Sequence, residues 1–387
     1  MQEVYLDYNG SAPLDPRVAE AMWGQMTGAV GNASSSHRFG VRRAAAVDDA
    51  REQVGALVGA APSGVVFCSG ATEANNLALV GLAEAAPAER NRIVVSAVEH
   101  ASVREPARWL LEQGRAKLDV AGVTPGGWVD LDELDSLLGP DVLAVSVMAA
   151  NSETGVLNPV AQAAEQAHAA GAVLHCDATQ MVGRLPFDMA AEGADLVSLS
   201  GHKICGPTGV GALVGTRSVL GRLHPAVHGG GQERGLRSGS LNVAGIVGLG
   251  AAAAICAGEH SVKAAAVGGL RDRLVAGLRG ALEAVSENGD TTRRLPNTAS
   301  IRFADADAEA VVFNMDPVAA SVGSACHSGA IEPSPTLLAM GLSREAAFET
   351  VRFSLGRFTT EAEVDAAIPQ TVAAVRYVRS MDGGGAR

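Results

Sequence analysis

The chain has 387 residues, 47% of them apolar, and a formal net charge of -12. That length can bury a full core, expected as one large domain plus a smaller one, and the composition describes a compact soluble protein. The acidic balance argues against broad affinity for nucleic acid or an anionic membrane surface, though it leaves room for a basic patch on one face.

The start, Met1-Gln-Glu-Val-Tyr-Leu-Asp-Tyr8, lacks the basic opening and apolar centre of a secretory signal. The five cysteines have no paired spacing, so neither a disulfide framework nor a zinc ribbon is indicated and a reducing cytoplasm is expected. From about 45 to 215, short β-rich runs at 65–68, 93–96, 143–148, 173–177, 196–200 and 211–214 alternate with helical spacing at 132–138 and 161–170. Alternation of this kind predicts an α/β fold with a mostly parallel sheet and helices on both faces. Ligands of such sheets lie outside the carboxyl ends of the strands.

Those ends carry polar residues. After 65–68 comes Ser69-Gly70-Ala71-Thr72-Glu73-Ala74-Asn75-Asn76, a small-residue turn opening a helix. It would suit a phosphate, and equally an ordinary N-cap. Glu99-His100 follows 93–96; the histidine is either a capping residue or one that stacks on a ring and passes protons. Asn151 follows 143–148 as a turn residue or a hydrogen-bonding partner. The run 173–176 ends in Asp177-Ala178-Thr179-Gln180, and an aspartate there needs a cationic partner. A protonated pyridine nitrogen would serve; a metal is the rival, without a supporting ligand set, since alternation turns His175 to the other face. Finally Ser200-Gly201-His202-Lys203 leads into the glycine-rich 206–211. A lysine partly stripped of water there can be neutral and form a Schiff base with an aldehyde. Singly, each motif fits a turn. Five at successive strand ends supply phosphate cradle, ring stacker, hydroxyl partner, ring-nitrogen partner and amine, which together make a pyridoxal 5'-phosphate site.

Farther along, the apolar run 243–258 spans roughly 16 residues, short of a membrane span, and reads as a buried helix. A second helical stretch is expected at 260–285, then strands at 298–303, 318–321 and 350–355 in a smaller α+β domain. The expected division is 15–258 for the large domain, and 1–14 with 259–387 for the small one. Cys326, in the small-residue stretch Ser321-Val-Gly-Ser-Ala-Cys326-His327-Ser328-Gly329, is the best candidate for a reactive thiol, with His327 beside it. Arg352, among apolar neighbours on an alternating strand, reads as a carboxylate clamp or as an edge-strand arginine in water.

With these residues in place the chain resembles cysteine desulfurases of the class V aminotransferase family, on the housekeeping and nitrogen-fixation branch. The likeness covers nearly the whole chain, including Leu6-Asp7-Tyr8, Gly31-Asn32, Ser36-His37-Arg38-Phe39-Gly40, the motifs above, His228-Gly-Gly-Gly231, Arg237-Ser238-Gly239 and Gly323-Ser-Ala-Cys326. It implies the aspartate aminotransferase-like fold of pyridoxal phosphate-dependent transferases and a cytoplasmic homodimer. By that resemblance Lys203 carries the cofactor and moves protons. Ala71, Thr72, Ser200 and His202 hold its phosphate, with Ser240 reaching across from the dimer mate. His100 stacks on the ring and shuttles protons as a catalytic residue, Asp177 pairs its nitrogen and Gln180 bonds its hydroxyl. Asn32, Asn151 and Arg352 hold the carboxylate of L-cysteine. Cys326 takes the sulfur as a persulfide, releases L-alanine and passes the sulfur to an acceptor protein. No metal, direct nucleic-acid contact or membrane association is expected.

The chain departs from the family at Asn9-Gly10-Ser11-Ala12-Pro13, at His327 where Thr or Ser is usual, at Ser240 for Thr, at Cys205 for an aromatic and at Thr208 for Lys. These departures suggest a member dedicated to one sulfur-using pathway. A selenocysteine lyase or another β-elimination enzyme for cysteine-like amino acids is the alternative, and a non-enzymatic sulfur-carrier scaffold a more distant one.

Overall fold

The computed structural model describes residues 3–28, 30–323, 325–327 and 330–382, except the side chains of 325–327, 330–331 and 382. Its largest sheet has seven strands in the order Val65–Cys68, Gly211–Gly215, Leu196–Ser200, Val173–Asp177, Val142–Ser146, Arg92–Ser96, Lys117–Ala121. All run the same way except Gly211–Gly215, which is antiparallel to both neighbours. The central strands are buried on both faces, which explains their unbroken apolar runs. Lys117–Ala121, absent from the sequence-based expectation, is the polar edge. Its Asp119, like Asp141, holds Arg92 at 2.7 Å.

Because the other six strands share a direction, Cys68, Ser96, Ser146, Asp177 and Ser200 end at one rim of the sheet. The loops leaving that rim carry the polar motifs.

The helix Val243–Ala281 is one continuous element of 39 residues, so the two expected helical stretches are joined and 259 lies inside it. Its first half packs on the helices Pro16–Thr27 and Arg38–Leu57. A Cβ on Gly248 would meet Met22 Cγ at 2.7 Å, and one on Gly250 would meet Ala50 Cα at 2.6 Å. Glycine is needed there for the close approach. By length and composition alone this helix could cross a membrane, but half of its most apolar window is buried inside the protein. Its later residues Val267, Leu274, Val275 and Leu278 enter a second core with Ile301, Phe303, Val351 and Phe353.

That second core backs an antiparallel sheet ordered Ser321–Val322, Thr350–Ser354, Thr298–Phe303, Val285–Glu287. The strand expected at 318–321 is split. Val318–Ala319 pairs with the N-terminal Val4–Tyr5, and Ser321–Val322 joins the four-stranded sheet. The chain's start is thereby stitched to its second half.

The glycine-rich 228–240 segment is fastened to the large sheet by Glu233. This buried carboxylate binds Arg51 through two hydrogen bonds, at 2.7 and 2.9 Å, and accepts the Phe67 N–H at 2.8 Å. Glu233→Ala removes both carboxylate bonds of the half-buried Arg51, which keeps the Val65 carbonyl, and leaves the buried Phe67 amide unpaired; it is expected to cost about 2–3 kcal/mol, read as a lower urea midpoint with unchanged slope.

Candidate active site

Loops from the rim enclose a cavity of about 530 Å³, lined by Thr72, His100, Asp177, Gln180, Ser200, His202, Lys203 and Arg352 among others. Lys203 ends a short 3-10 turn that follows the strand Leu196–Ser200 directly. Its Nζ donates to the carbonyls of Asn9 and Gly10 at 2.6 and 2.5 Å. Burial, helped by the nearby cations Arg184 and Arg352, brings the amine down to about 8 from an ordinary value near 10.5. A substantial neutral fraction is therefore available near neutral pH. The adjoining His202 is lowered to about 4 by burial and by Lys203, and its Nδ1 lies 3.2 Å from Ser11 Oγ.

Opposite this amine stands Asp177, 5% exposed, at the end of its strand. One carboxylate oxygen accepts the Thr179 N–H at 3.0 Å, and the other accepts Asn75 Nδ2 at 2.9 Å. Gln180 donates through Nε2 to the Asn9 carbonyl at 3.1 Å, while its buried Oε1 has no partner. That leaves an acceptor available to a ligand hydroxyl. Ala71 and Thr72 open the 14-residue helix Ala71–Glu84, whose first-turn N–H groups suit an anion. Ser200 and His202 stand on the same wall. A planar group with an anionic arm, a ring hydroxyl and an aldehyde would meet a suitable partner at each position.

His100 caps the helix Ala101–Glu112, accepting the Ser102 N–H at Nδ1. Its ring is open to the cleft yet largely walled by protein, and that burial holds it below the ordinary histidine value. Preceding it, Glu99 is buried beneath the Met148 N–H and pushed up to about 8 by desolvation.

Arg352 projects from the strand Thr350–Ser354 of the second sheet. It donates to Asp7 Oδ1 at 2.6 Å and to the Ser152 carbonyl at 3.2 Å, and its buried Nε has no partner. The other expected carboxylate contacts are placed differently. Asn151 is buried and its amide is used locally: Oδ1 accepts the N–H groups of Glu153 and Thr154 at 2.9 Å, and Nδ2 donates to the Val98 carbonyl. It shapes the turn and is not among the cleft-lining residues. Asn32 is exposed and also stands outside this cleft; Ser240, expected to reach the phosphate of the dimer mate, is exposed on this chain.

The Cys326 side chain lies outside the described residues. The backbone strand Ala325–His327 pairs with Ala330–Glu332, with Cys326 opposite Ile331. Both roots of this hairpin meet Glu153. Ser334 Oγ donates to its carboxylate, and Gly323 lies so close that a Cβ there would overlap Glu153 Oε2. Three further residues shape the site without having been given a role from the sequence. Asn9 was noted only as a departure, yet its side chain joins Ser152, Thr298 and Asn297 while its carbonyl holds Lys203. Asp7 engages Arg352, and the buried Arg184 lies near Lys203. Asp7 and Asn9 sit in the sequence motif that opens the chain, whereas nothing local distinguishes Arg184.

A model of the family aminotransferase class-V matches residues 4–367. Cysteine desulfurase IscS of Anaeromyxobacter dehalogenans is 44% identical over 381 residues, covering 98% of this chain and 94% of that protein. Among solved structures, a NifS-like protein superposes with a TM-score of 0.91 at 33% identity, covering 97% of this chain and 100% of that one. SspA in complex with cysteine gives a TM-score of 0.82 at 30% identity, covering 92% and 100%. A doubly covered parallel sheet with a lysine at its rim, matched over nearly its full length by such relatives, means that this chain belongs to the class V aminotransferase family, among its cysteine desulfurases.

Proposed function

We propose that this chain is a pyridoxal phosphate-dependent cysteine desulfurase that converts L-cysteine to L-alanine and carries the sulfur as a persulfide on Cys326. The observation that carries this reading is the Lys203 amine, lowered to about 8, in one cavity with Asp177 and the unpartnered acceptor of Gln180. A cysteine complex of the related SspA supports the substrate.

Bound in this cavity, pyridoxal phosphate supplies an aldehyde for amino groups and an electron sink for charge at the substrate carbon. Lys203 would hold the cofactor through Nζ and move protons there. Asp177 would pair the ring nitrogen, and Gln180 Oε1 would accept from the ring hydroxyl. The helix start at Ala71 and Thr72, with Ser200 and His202, holds the phosphate, and Ser240 is supplied by the second subunit of a homodimer. Arg352 takes the substrate carboxylate with Nε and one edge of its fork, with Asn32 and the turn built by Asn151 nearby. The Cys326 thiolate would attack the substrate sulfur, forming an S–S bond as the C–S bond breaks; the electron pair stays with the substrate carbon, which takes up a proton before L-alanine leaves. Residues 1–14 and 259–387 form the small domain that presents Cys326 to the cavity of 15–258. The enzyme is cytoplasmic and hands its sulfur to an acceptor protein.

The test is production of alanine and sulfide from L-cysteine with a reductant, by protein bearing the cofactor. Equimolar products support the reading, and no alanine from cofactor-loaded protein rejects it. Arg352→Ala should raise KM for L-cysteine about 10- to 100-fold with a smaller change in kcat, the loss of charge-assisted hydrogen bonds to a carboxylate. An unchanged KM would remove Arg352 from substrate binding.

A further inference from the structure

We propose that Asp177, acting through Asn75 and Ser102, fixes His100 as a neutral imidazole with its proton on Nε2, so that the ring faces the cleft as a hydrogen-bond donor and not as a base. The argument starts from groups with one hydrogen-bonding sense. A carboxylate only accepts, so the Asn75 amide must present Nδ2 to Asp177, which it does at 2.9 Å. The same nitrogen donates to Ser102 Oγ at 2.8 Å. The hydroxyl thereby accepts from Asn75, which favours turning its own hydrogen toward His100 Nδ1, 2.8 Å away. A second donor points at the same nitrogen, the Ser102 backbone N–H at 3.1 Å. A backbone N–H cannot reverse, so the two donors together favour a lone pair on Nδ1, and the hydrogen of the neutral ring belongs on Nε2.

Adding a proton to Nδ1 would set an N–H against the Ser102 backbone N–H and force the Ser102 hydroxyl to turn its hydrogen away. The surroundings agree with this. Burial and the positive charges of Lys203 and Arg104 disfavour the imidazolium, and together they outweigh the attraction of Asp177. Asn75 is fully buried and its Oδ1 has no partner, so its two donated hydrogen bonds alone orient it. It is a positioning residue, joining the group assigned to one edge of the cofactor to the group assigned to its face. The proton shuttling that the family resemblance gives His100 then falls to Lys203. The inference rests on the proposed function only for what fills the cavity.

The test is a long-range 1H–15N correlation spectrum of 15N-histidine-labelled protein with pyridoxal phosphate bound, with His100→Gln identifying the signals. The neutral Nε2–H pattern should be present at neutral pH and persist as pH rises in the wild type. In Asn75→Ala the ring should show an Nδ1–H population or an ionisation midpoint higher by about 1. A proton on Nδ1, or an imidazolium at neutral pH in the wild type, would overturn the assignment. An Asn75→Ala spectrum identical to wild type would overturn the role of Asn75. Turnover is not read, so an inactive protein leaves this result legible and fails only the desulfurase reading.

Discussion

Replacing Lys203 with alanine should abolish the visible absorbance of bound cofactor and lower alanine formation from L-cysteine by at least about 10³-fold. The variant removes both the covalent tether and the group that moves protons at the substrate carbon. Its side chain reaches the cavity from the turn after Leu196–Ser200, and its hydrogen bonds among the described residues go to two carbonyls near the N-terminus, so the sheet should survive its loss. The wild-type amine predicts a pH signature as well. Below about 8 the amine is protonated and cannot attack an aldehyde, so capture of added pyridoxal phosphate should speed up as pH rises toward 8, then level off. Stability moves in the same direction. Between about 8 and 10.5 the unfolded chain binds a proton that the folded amine does not, so this group favours folding increasingly as pH rises through that window. Capture rates still climbing steeply at pH 10 would mean an unperturbed amine.

Cys326→Ala should leave cofactor binding and its colour intact while lowering alanine and sulfide formation by at least about 10³-fold. This contrast separates the desulfurase from a lyase. Desulfurisation needs a second sulfur to take up the substrate's sulfur as the C–S bond breaks, whereas β-elimination expels the substrate sulfur without an enzyme thiol. Mass spectrometry of the wild type after brief exposure to L-cysteine should find one added sulfur on the peptide containing Cys326. Turnover undiminished in the alanine variant would make the enzyme a cysteine or selenocysteine lyase. The other cysteines make poor substitutes: Cys68, Cys176, Cys205 and Cys256 are all buried, and burial raises each thiol.

The strands 65–68, 173–177 and 196–200 coincide with the observed elements because each is an apolar run buried on both faces, with a polar residue at its last position or just after it. Lys117–Ala121 escaped notice because an edge strand needs little apolar sequence and is marked by charge instead. The Ala- and Gly-rich 243–281 stretch hides its continuity, since its two halves bury themselves in different cores and no single apolar stripe runs its length. In the candidate site, Thr72, His100, Asp177, Gln180, Ser200, His202, Lys203 and Arg352 line one cavity. Asn32, Asn151 and Ser240 do not.

What the sequence by itself determined is the chemical inventory: which polar side chain follows which strand, and therefore which groups arrive at one rim of a parallel sheet. Strand direction and local turns suffice for that. The state of each group was decided by folding. Burial lowers the Lys203 amine to about 8, helped by Arg184 and by Arg352 from the second half of the chain. Arg352 is oriented by Asp7, 345 residues away, and Asp177 governs Asn75 across 102. Desolvation and hydrogen-bond direction are properties of neighbours, and the neighbours that matter here meet only in the tertiary structure.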